Sequence, residues 1–353
     1  MSEYTQILAD IRALATGGQP ITDISQLLYA HNCFHLLSKV ETANTYTENY
    51  KAEAVLNPIC VLERYRVCRE LFDTLQREKI PYAVIKGAVL SMAAYGDPYA
   101  RKSGDIDLLI RRNDIDEVKQ FLLSQGFVQG RVTANGIQPF SRRELLFQTA
   151  LSHQVAPFVK DTGHPLCPYV NVDINMDILW GESGRLSDMD FALSHIETTE
   201  ICGISIQKLS CEMEFIALCL HHYKDMNSLY LLSQGSLKLN LFCDIYYYIK
   251  RCRPDIAKLR AICEQLDVLN YVYYDVYYTN QIFDDSVVYA YQTMLKTETS
   301  EGILRTFGLA EDEKYEWDTP FFERLFSIHM NKYFATHLSA KDLEKIRTNR
   351  EYM

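Results

Sequence analysis

The sequence lacks the features that mark several special classes of protein. Its 353 residues contain no run approaching the roughly 18 apolar residues of a membrane span, so we expect no transmembrane helix. The ten cysteines include no Cys-x-x-Cys pair, which argues against a zinc ribbon or a disulfide framework and favours reduced thiols. Internal repeats and low-complexity segments are also absent. The sequence is therefore that of an ordinary globular protein.

Positive charge is scarce as well. The 36 lysine and arginine residues are outnumbered by 46 acidic residues, which gives a formal net charge of −10. Proteins that bind long nucleic acids without sequence preference are usually basic. We therefore expect a small molecule or a protein, rather than a nucleic acid, as the binding partner. The N-terminus, MSEYTQILADIRALA, is acidic and amphipathic and has no signal-peptide core, so we expect a cytoplasmic location.

The most informative stretch is 80–110, IPYAVIKGAVLSMAAYGDPYARKSGDIDLLI. A short apolar strand is predicted first, then a turn at Lys86-Gly87 and a helix of small residues. A glycine at this turn lets the backbone approach a ligand, and the helix directs N–H groups toward it. A second predicted strand carries Asp105 and Asp107 on one face, because residues i and i+2 point the same way. Two such carboxylates repel unless a cation lies between them, and Mg²⁺ prefers oxygen ligands.

The stretch contains Lys86-Gly87-Ala88, Tyr95, Pro98 and Arg101, followed by Asp105-Ile106-Asp107-Leu108-Leu109. This combination resembles the nucleotidyltransferase superfamily of the polymerase-β type. Within it, the chain most resembles the bacterial uncharacterised nucleotidyltransferase family, which is related to the abortive-infection toxin nucleotidyltransferases. The chain departs from the superfamily pattern in two ways. Ala88 replaces the usual Ser or Gly, and the spacer before Asp105 is longer than usual.

The resemblance implies an α+β fold with a small mixed-sheet core. We place this core at residues 79–208, between an N-terminal helical region at 1–78 and a C-terminal helical domain at 209–353. Hydrophobic periodicity also predicts helices on both sides of the core. Within the core, Leu145 to Leu151 and Val155 to Val159 are interpreted as strands.

The implied activity is transfer of a nucleoside monophosphate from a nucleoside triphosphate to an acceptor hydroxyl. Two-metal catalysis with Mg²⁺ or Mn²⁺ is expected, and ATP is the nucleotide we expect. The predicted catalytic and metal-binding residues are Asp105, Asp107 and Asp173. The predicted nucleotide- and phosphate-binding residues are Lys86, Gly87, Ala88, Arg101, Ser103 and Lys238. The sequence leaves the acceptor and the base preference open.

The third acid comes from a second strand pattern, YVNVDINMDIL at 169–179. Its apolar residues alternate strictly with asparagine and aspartate, which predicts a strand with one buried and one polar face. In the superfamily a third acidic residue lies on a later strand beside the Asp-apolar-Asp pair. Asp173 is the first candidate for this position and Asp177 is the alternative. Related chains often carry a histidine where this chain has Asn175.

The helical C-terminal part raises three further points. Lys238 and Asp244 match positions typical of the family, and by resemblance Lys238 reaches a phosphate; a surface lysine is the alternative. His221 and His222 are adjacent, and adjacent histidines cannot share one helix face, so we do not expect them to bind one metal together. His31, in the N-terminal part, is interpreted as a packed histidine.

Two other functions stay open. A kinase-like or hydrolytic enzyme would use the same acids and metal for another phosphoryl transfer. A catalytically weak or inactive member of the fold would bind a nucleotide or a partner chain. Ala88 and Asn175 favour this last interpretation, whereas the three acids argue against it.

Overall fold

The structure is a computed structural model, and it describes residues 4–151, 154–310 and 312–352. The α-helices in these ranges are α1 (Thr5–Ala15), α2 (Ser25–Ala30), α3 (Phe34–Leu37), α4 (Thr45–Arg77), α5 (Gly87–Tyr95), α6 (Ile115–Ser124), α7 (Arg142–Leu151), α8 (Met189–Ser194), α9 (Cys211–Asn227), α10 (Leu229–Ser233), α11 (Leu239–Cys252), α12 (Ile256–Leu266), α13 (Leu269–Phe283), α14 (Ser286–Leu295), α15 (Ser300–Ile303), α16 (Phe321–Phe326), α17 (Met330–His337) and α18 (Ala340–Tyr352). The β-strands are β1 (Tyr82–Ile85), β2 (Asp105–Ile110), β3 (Val128–Thr133), β4 (Gly136–Pro139), β5 (Phe158–Asp161), β6 (Tyr169–Asn175), β7 (Ile196–Ile201), β8 (Ile204–Leu209), β9 (Thr306–Phe307) and β10 (Tyr315–Glu316). Among the described residues, no helix combines the length and the apolar character needed to cross a membrane.

The chain divides into two compact units. One contains the residues up to 51 together with those from 218 onward, and the other contains residues 52–217. The boundaries fall inside α4 and α9, so each of these helices contributes residues to both units. The three-part division predicted from the sequence remains a prediction.

The unit formed by residues 52–217 contains the main sheet, with strand order β1-β2-β6-β5-β3-β4 among the described residues. Strands β2 and β6 are parallel, and the other neighbours are antiparallel. The sheet is therefore mixed, and β7 and β8 form a separate antiparallel hairpin. Helices precede and follow this core along the chain. The predicted α+β fold, a mixed sheet with helical flanks, is confirmed.

Strands β2 and β6 each have one buried apolar face. The buried side chains, all at most 3% exposed, are Ile106, Leu108, Ile110, Val170, Val172 and Ile174. The alternate positions carry the acids and asparagines of the two sequence patterns, together with Leu109 and Tyr169. The period-two alternation thus fixes which side of each strand faces the core and which presents polar groups.

The strand predicted for Leu145 to Leu151 is wrong, because these residues belong to helix α7. Ser141 and Glu144 form a reciprocal capping box at its start. The Ser141 N–H donates to Glu144 Oε2 at 2.8 Å, and the Glu144 N–H donates to Ser141 Oγ at 3.3 Å. The strand predicted for Val155 to Val159 begins later, since β5 starts at Phe158.

Two further helix boundaries differ from what the sequence predicts. The sequence predicts one helix from Ile24 to Leu37, but the structure has α2 and α3, with Asn32 between them at a left-handed φ of 56°. The sequence also predicts a polar linker from Glu41 to Tyr50, but this segment contains the start of α4. Asn44 Oδ1 accepts the N–H groups of Tyr46 and Thr47 at 3.0 Å each, which caps the helix.

In the unit that contains both chain ends, His31 is a packed side chain, as the sequence indicates. Its Nδ1 accepts the main-chain N–H of Leu239 at 3.0 Å, and its ring lies 5.9 Å from that of Phe326. Burial, and then the positive charge of Lys238, lower the pKa of His31 to about 4. This imidazole is therefore neutral in the folded protein at neutral pH.

Acidification is expected to weaken the fold through His31. The folded chain keeps the ring neutral down to about pH 4, whereas the unfolded chain protonates it near pH 6.5. The free energy of unfolding therefore falls as the pH drops between these values, by up to about 3 kcal/mol from this group. Urea denaturation of wild type and His31→Asn across this range measures the effect. The asparagine retains an acceptor for Leu239 and should lose less stability in acid; equal losses would contradict the prediction.

Candidate active site

The three predicted acids lie on neighbouring strands of the main sheet. Asp105 and Asp107 are on β2, and Asp173 is on β6. The parallel register pairs Asp107 with Asp173 and Asp105 with Asn171. Paired residues of adjacent strands share a face of the sheet. The register therefore places three carboxylates on one polar face, opposite the buried apolar face of the same two strands.

Asp107 is the most enclosed of the three acids, with a side chain only 7% exposed. Its Oδ1 accepts two hydrogen bonds. Lys86 Nζ donates at 3.1 Å, and Asn175 Nδ2 donates at 3.2 Å. The charged hydrogen bond from Lys86 offsets part of the cost of burying the carboxylate, and the amide fixes its direction.

Asn175 is itself held in position. Its Oδ1 accepts a hydrogen bond from Gln154 Nε2 at 2.6 Å, and the two residues also form an isolated antiparallel bridge. The chain Gln154–Asn175–Asp107 therefore orients the acid through two side-chain amides. Sequence reasoning missed Gln154, because its partner is distant in the chain and no local pattern marks it.

Asp105 lies in an environment that opposes its negative charge. Burial, and then the neighbouring charge of Asp107, raise the pKa of Asp105, while the cationic groups of Lys86, Arg101 and Arg64 act in the opposite direction. The cations therefore offset only part of the rise in the pKa of Asp105 that burial and the repulsion between the acids cause. A bound divalent cation would relieve both, because it favours the ionised form of each carboxylate.

The turn between β1 and α5 has an unusual backbone. Lys86, the residue before α5, has φ 59° and ψ −146°, and Gly87 follows with φ 46°. Backbone angles like those of Lys86 are adopted almost entirely by glycine, and they cost a residue with a side chain about 1–3 kcal/mol. The strained turn carries the amine that binds Asp107. The predicted glycine turn after the first strand is confirmed.

Glycine at position 86 is expected to relax this backbone. Glycine adopts this backbone without strain, and the entropic cost of ordering a glycine is smaller than the strain that it removes. Lys86→Gly should therefore be more stable than Lys86→Ala by about 1–2 kcal/mol. Both variants lose the amine, so their difference in urea denaturation isolates the backbone. Gln120 is exposed in helix α6, and the variants Gln120→Gly and Gln120→Ala form the control pair. There the alanine variant should be the more stable by about 0.5–1 kcal/mol, and the same order at position 86 would contradict the prediction.

Ala88 is buried within the first turn of α5, only 2% exposed. The first N–H groups of a helix have no acceptor within the helix, and those of α5 begin at Gly87. An added Cβ at Gly87 would lie 3.8 Å from Ser103 Oγ and 3.8 Å from the main-chain oxygen of Asp105. The glycine turn, Ser103 and the start of β2 are thus close neighbours.

Arg101 and Ser103 are held by their main-chain atoms. The Arg101 N–H donates to Ser91 Oγ at 3.0 Å, and the Ser103 oxygen accepts from Arg64 Nη1 at 2.8 Å. Arg64 was not singled out from the sequence, although it lies in α4 beside buried Tyr65 and is itself 9% exposed. A cation on the apolar side of an amphipathic helix is the signal that could have identified it.

The structure separates the two candidates for the third acid. Strand β6 ends at Asn175, so Asp177 lies beyond the paired region. Its carboxylate accepts the N–H groups of Leu179 at 2.9 Å and of Ser187 at 3.2 Å, together with the Ser187 hydroxyl. Asp177 therefore stabilises the loop after β6 through these hydrogen bonds, whereas Asp173 lies in register with Asp107.

Lys238 belongs to the other unit, where it precedes helix α11. Its Nζ donates to the main-chain oxygen of Ala30 at 3.1 Å. Asp244, in α11, is 1% exposed, and its Oδ2 lies 3.4 Å from Nε2 of His222. Phosphate binding by Lys238 remains a prediction.

Comparison with known families identifies one family. Residues 22–284 match the model of the family described as "Uncharacterised nucleotidyltransferase". No curated protein matches the chain. The link to abortive-infection toxins remains an expectation. The matched range includes all nine predicted site residues and most of the chain, and the chain belongs to the uncharacterised nucleotidyltransferase family.

Proposed function

We propose that the protein transfers a nucleoside monophosphate from a nucleoside triphosphate, ATP in the first instance, to an acceptor hydroxyl. The observation that carries the proposal is the parallel register that pairs Asp107 with Asp173 and leaves Asp105 on the same face. Family membership supports nucleotidyl transfer in general, and the three acids supply the finer mechanism.

The acids fit a divalent cation. Carboxylate oxygens are the ligands that Mg²⁺ and Mn²⁺ prefer. Burial and the charge of Asp107 both raise the pKa of Asp105, which indicates repulsion that a cation would remove. We propose that Asp105, Asp107 and Asp173 hold Mg²⁺ or Mn²⁺, in a two-metal arrangement. When bound, such ions supply positive charge to the attacking and leaving oxygens of the displacement at the α-phosphate.

The remaining residues are proposed to orient the Asp107 carboxylate and to bind the phosphate groups. Asn175 and Gln154 fix the carboxylate of Asp107 by the hydrogen bonds described above. Gly87 and Ala88 present main-chain N–H groups at the start of α5, where phosphate oxygens are favoured. Asp173 has two alternative proposed roles: it completes the second metal site, or it accepts the proton from the attacking hydroxyl.

The cations of the site are proposed to bind the phosphate chain. Lys86 neutralises Asp107 in the protein alone, and a bound nucleotide gives its ammonium a second anionic partner. The positive charge of Arg101 acts to lower the pKa of Asp105, so its guanidinium is close enough to influence that acid. Ser103 adds a hydroxyl near Gly87. Phosphate binding by Lys238 is also proposed, on the family resemblance alone. A cytoplasmic location is also proposed.

The test is incubation of the full chain with each labelled nucleoside triphosphate, Mg²⁺ and a cell extract. Transfer of label from the α-phosphate to an acceptor is expected, and the double variant Asp105→Ala, Asp107→Ala should transfer none. Mass spectrometry of the product distinguishes a nucleoside monophosphate from a phosphate group. Addition of phosphate alone would replace the proposal with a kinase-like reaction. Calorimetry with Mg²⁺ and ATP completes the test, because unchanged metal-dependent binding in the double variant would remove the proposed metal site.

A further inference from the structure

The C-terminal end of helix α9 carries a second group of potential metal ligands. One ligand atom from each of His221, His222 and Asp225 lies within 4.8 Å of the other two. This arrangement contradicts the expectation that adjacent histidines cannot approach one metal together. All three residues belong to the unit that contains both chain ends, and the acids on β2 and β6 belong to the other unit.

The distance between two of these ligands suits a tetrahedral ion. His221 Nε2 lies 3.3 Å from Asp225 Oδ2. Two ligands bound at about 2.0–2.1 Å to a tetrahedral Zn²⁺ are about 3.3–3.4 Å apart. Both side chains are 22% exposed, so an ion has a route from solvent to this pair.

His222 forms the buried side of the group. It is 1% exposed, and neither ring nitrogen makes a hydrogen bond of good geometry with any described residue. Asp244 Oδ2 lies 3.4 Å from its Nε2, and Asp244 is equally buried. Metal-bound histidines commonly present their second ring nitrogen to a carboxylate, which fixes the tautomer and the ring orientation. Asp244 has this relation to His222.

We propose that His221, His222 and Asp225 bind a divalent cation of the zinc type, with Asp244 as a positioning residue for His222. Two imidazoles and one carboxylate suit Zn²⁺ and not Mg²⁺, which prefers an all-oxygen shell. Three protein ligands leave one position of a tetrahedral ion for water or another ligand. The ion joins the exposed and buried sides of α9 and stabilises the helical unit.

The experiment titrates Zn²⁺ into the metal-stripped full chain, in wild type and in the double variant Asp105→Asn, Asp107→Asn. The double variant removes carboxylates that could bind Zn²⁺ on the sheet, so binding that persists in it does not depend on the proposed catalytic acids. Calorimetry should give one Zn²⁺ per chain in the double variant, and the melting temperature should rise on binding. Absence of Zn²⁺ binding in this variant would overturn the proposal.

Ligand variants in the same background locate the ion. His221→Ala and Asp225→Asn should each weaken Zn²⁺ binding by about 100-fold or more, since loss of a supporting carboxylate alone costs about 10–100-fold. His329→Ala, which removes an exposed histidine before α17, is the matched control and should bind as before. Circular dichroism identifies any variant that has lost its fold. If His221→Ala is unfolded, the Zn²⁺ affinity of the conservative variant Asp225→Asn decides whether the group binds the ion. Equal affinities in all four proteins would reduce the group to two ordinary His–Asp pairs and overturn the proposal.

Discussion

Replacing Asp107 with asparagine is expected to reduce the rate of nucleotidyl transfer by at least about 1,000-fold. The substitution keeps the size of the side chain but removes the charge that is proposed to hold a divalent cation between β2 and β6. Loss of about 4 kcal/mol of transition-state stabilisation corresponds to this factor, and charge stabilisation by a bound metal is of that order. The measurement is the initial rate of label transfer from the α-phosphate at saturating nucleotide and Mg²⁺.

Asp116→Asn provides the matched control for this result. Asp116 is exposed on helix α6, and its substitution changes the net charge of the protein by the same amount. Its rate should stay within about twofold of wild type, because surface substitutions away from special features have small effects. Retention of more than about a tenth of the wild-type rate by Asp107→Asn would remove Asp107 from the proposed mechanism.

Asp173→Asn and Asp177→Asn are expected to have opposite effects. Asp173 lies in register with Asp107, so its asparagine variant should lose about 100-fold or more in rate with little change in stability. Asp177 accepts hydrogen bonds from Leu179 and Ser187 in the loop after β6. Its variant should lose about 1–3 kcal/mol of stability, because these charge-assisted bonds are buried, and should keep its rate within a few fold.

Transfer rates and urea denaturation of the same two preparations measure this contrast. Each variant serves as the control for the other, since both remove one carboxylate from the same segment of chain. The reverse pattern, with the rate lost in Asp177→Asn and kept in Asp173→Asn, would assign the third acid to Asp177. Equal and small rate effects would leave Asp105 and Asp107 as the only acids required.

Local patterns were sufficient for the strands that carry the acids. Alternation of apolar and polar residues predicted β2 and all of β6, because a side-chain period of two is a property of the strand itself, but it extended the second strand beyond Asn175 to Leu179. The Lys86-Gly87 turn was equally local. The error at Leu145 to Leu151 was also local in origin, since the capping pair Ser141 and Glu144 is visible in the sequence and was overlooked.

The proposed site at His221 and His222 departs from the prediction made from helix geometry. Adjacent residues point in different directions from a helix axis, which argued against joint metal binding by His221 and His222. Long side chains can nevertheless bend toward a common point when a third residue and a buried neighbour lie beside them. Asp225 and Asp244 supply these neighbours, and the latter comes from another helix.

The sequence by itself determined the fold class, the two acid-bearing strands, the glycine turn and the family. The strands and the turn follow from short-range order, and the fold class and the family follow from a resemblance carried by one stretch of about 25 residues. Tertiary structure alone decided that Asp173 rather than Asp177 pairs with Asp107, that Gln154 and Asn175 orient that acid, and that Lys86 binds it. Strand register and side-chain partners depend on which segments meet in space, and no periodicity within one segment contains that information.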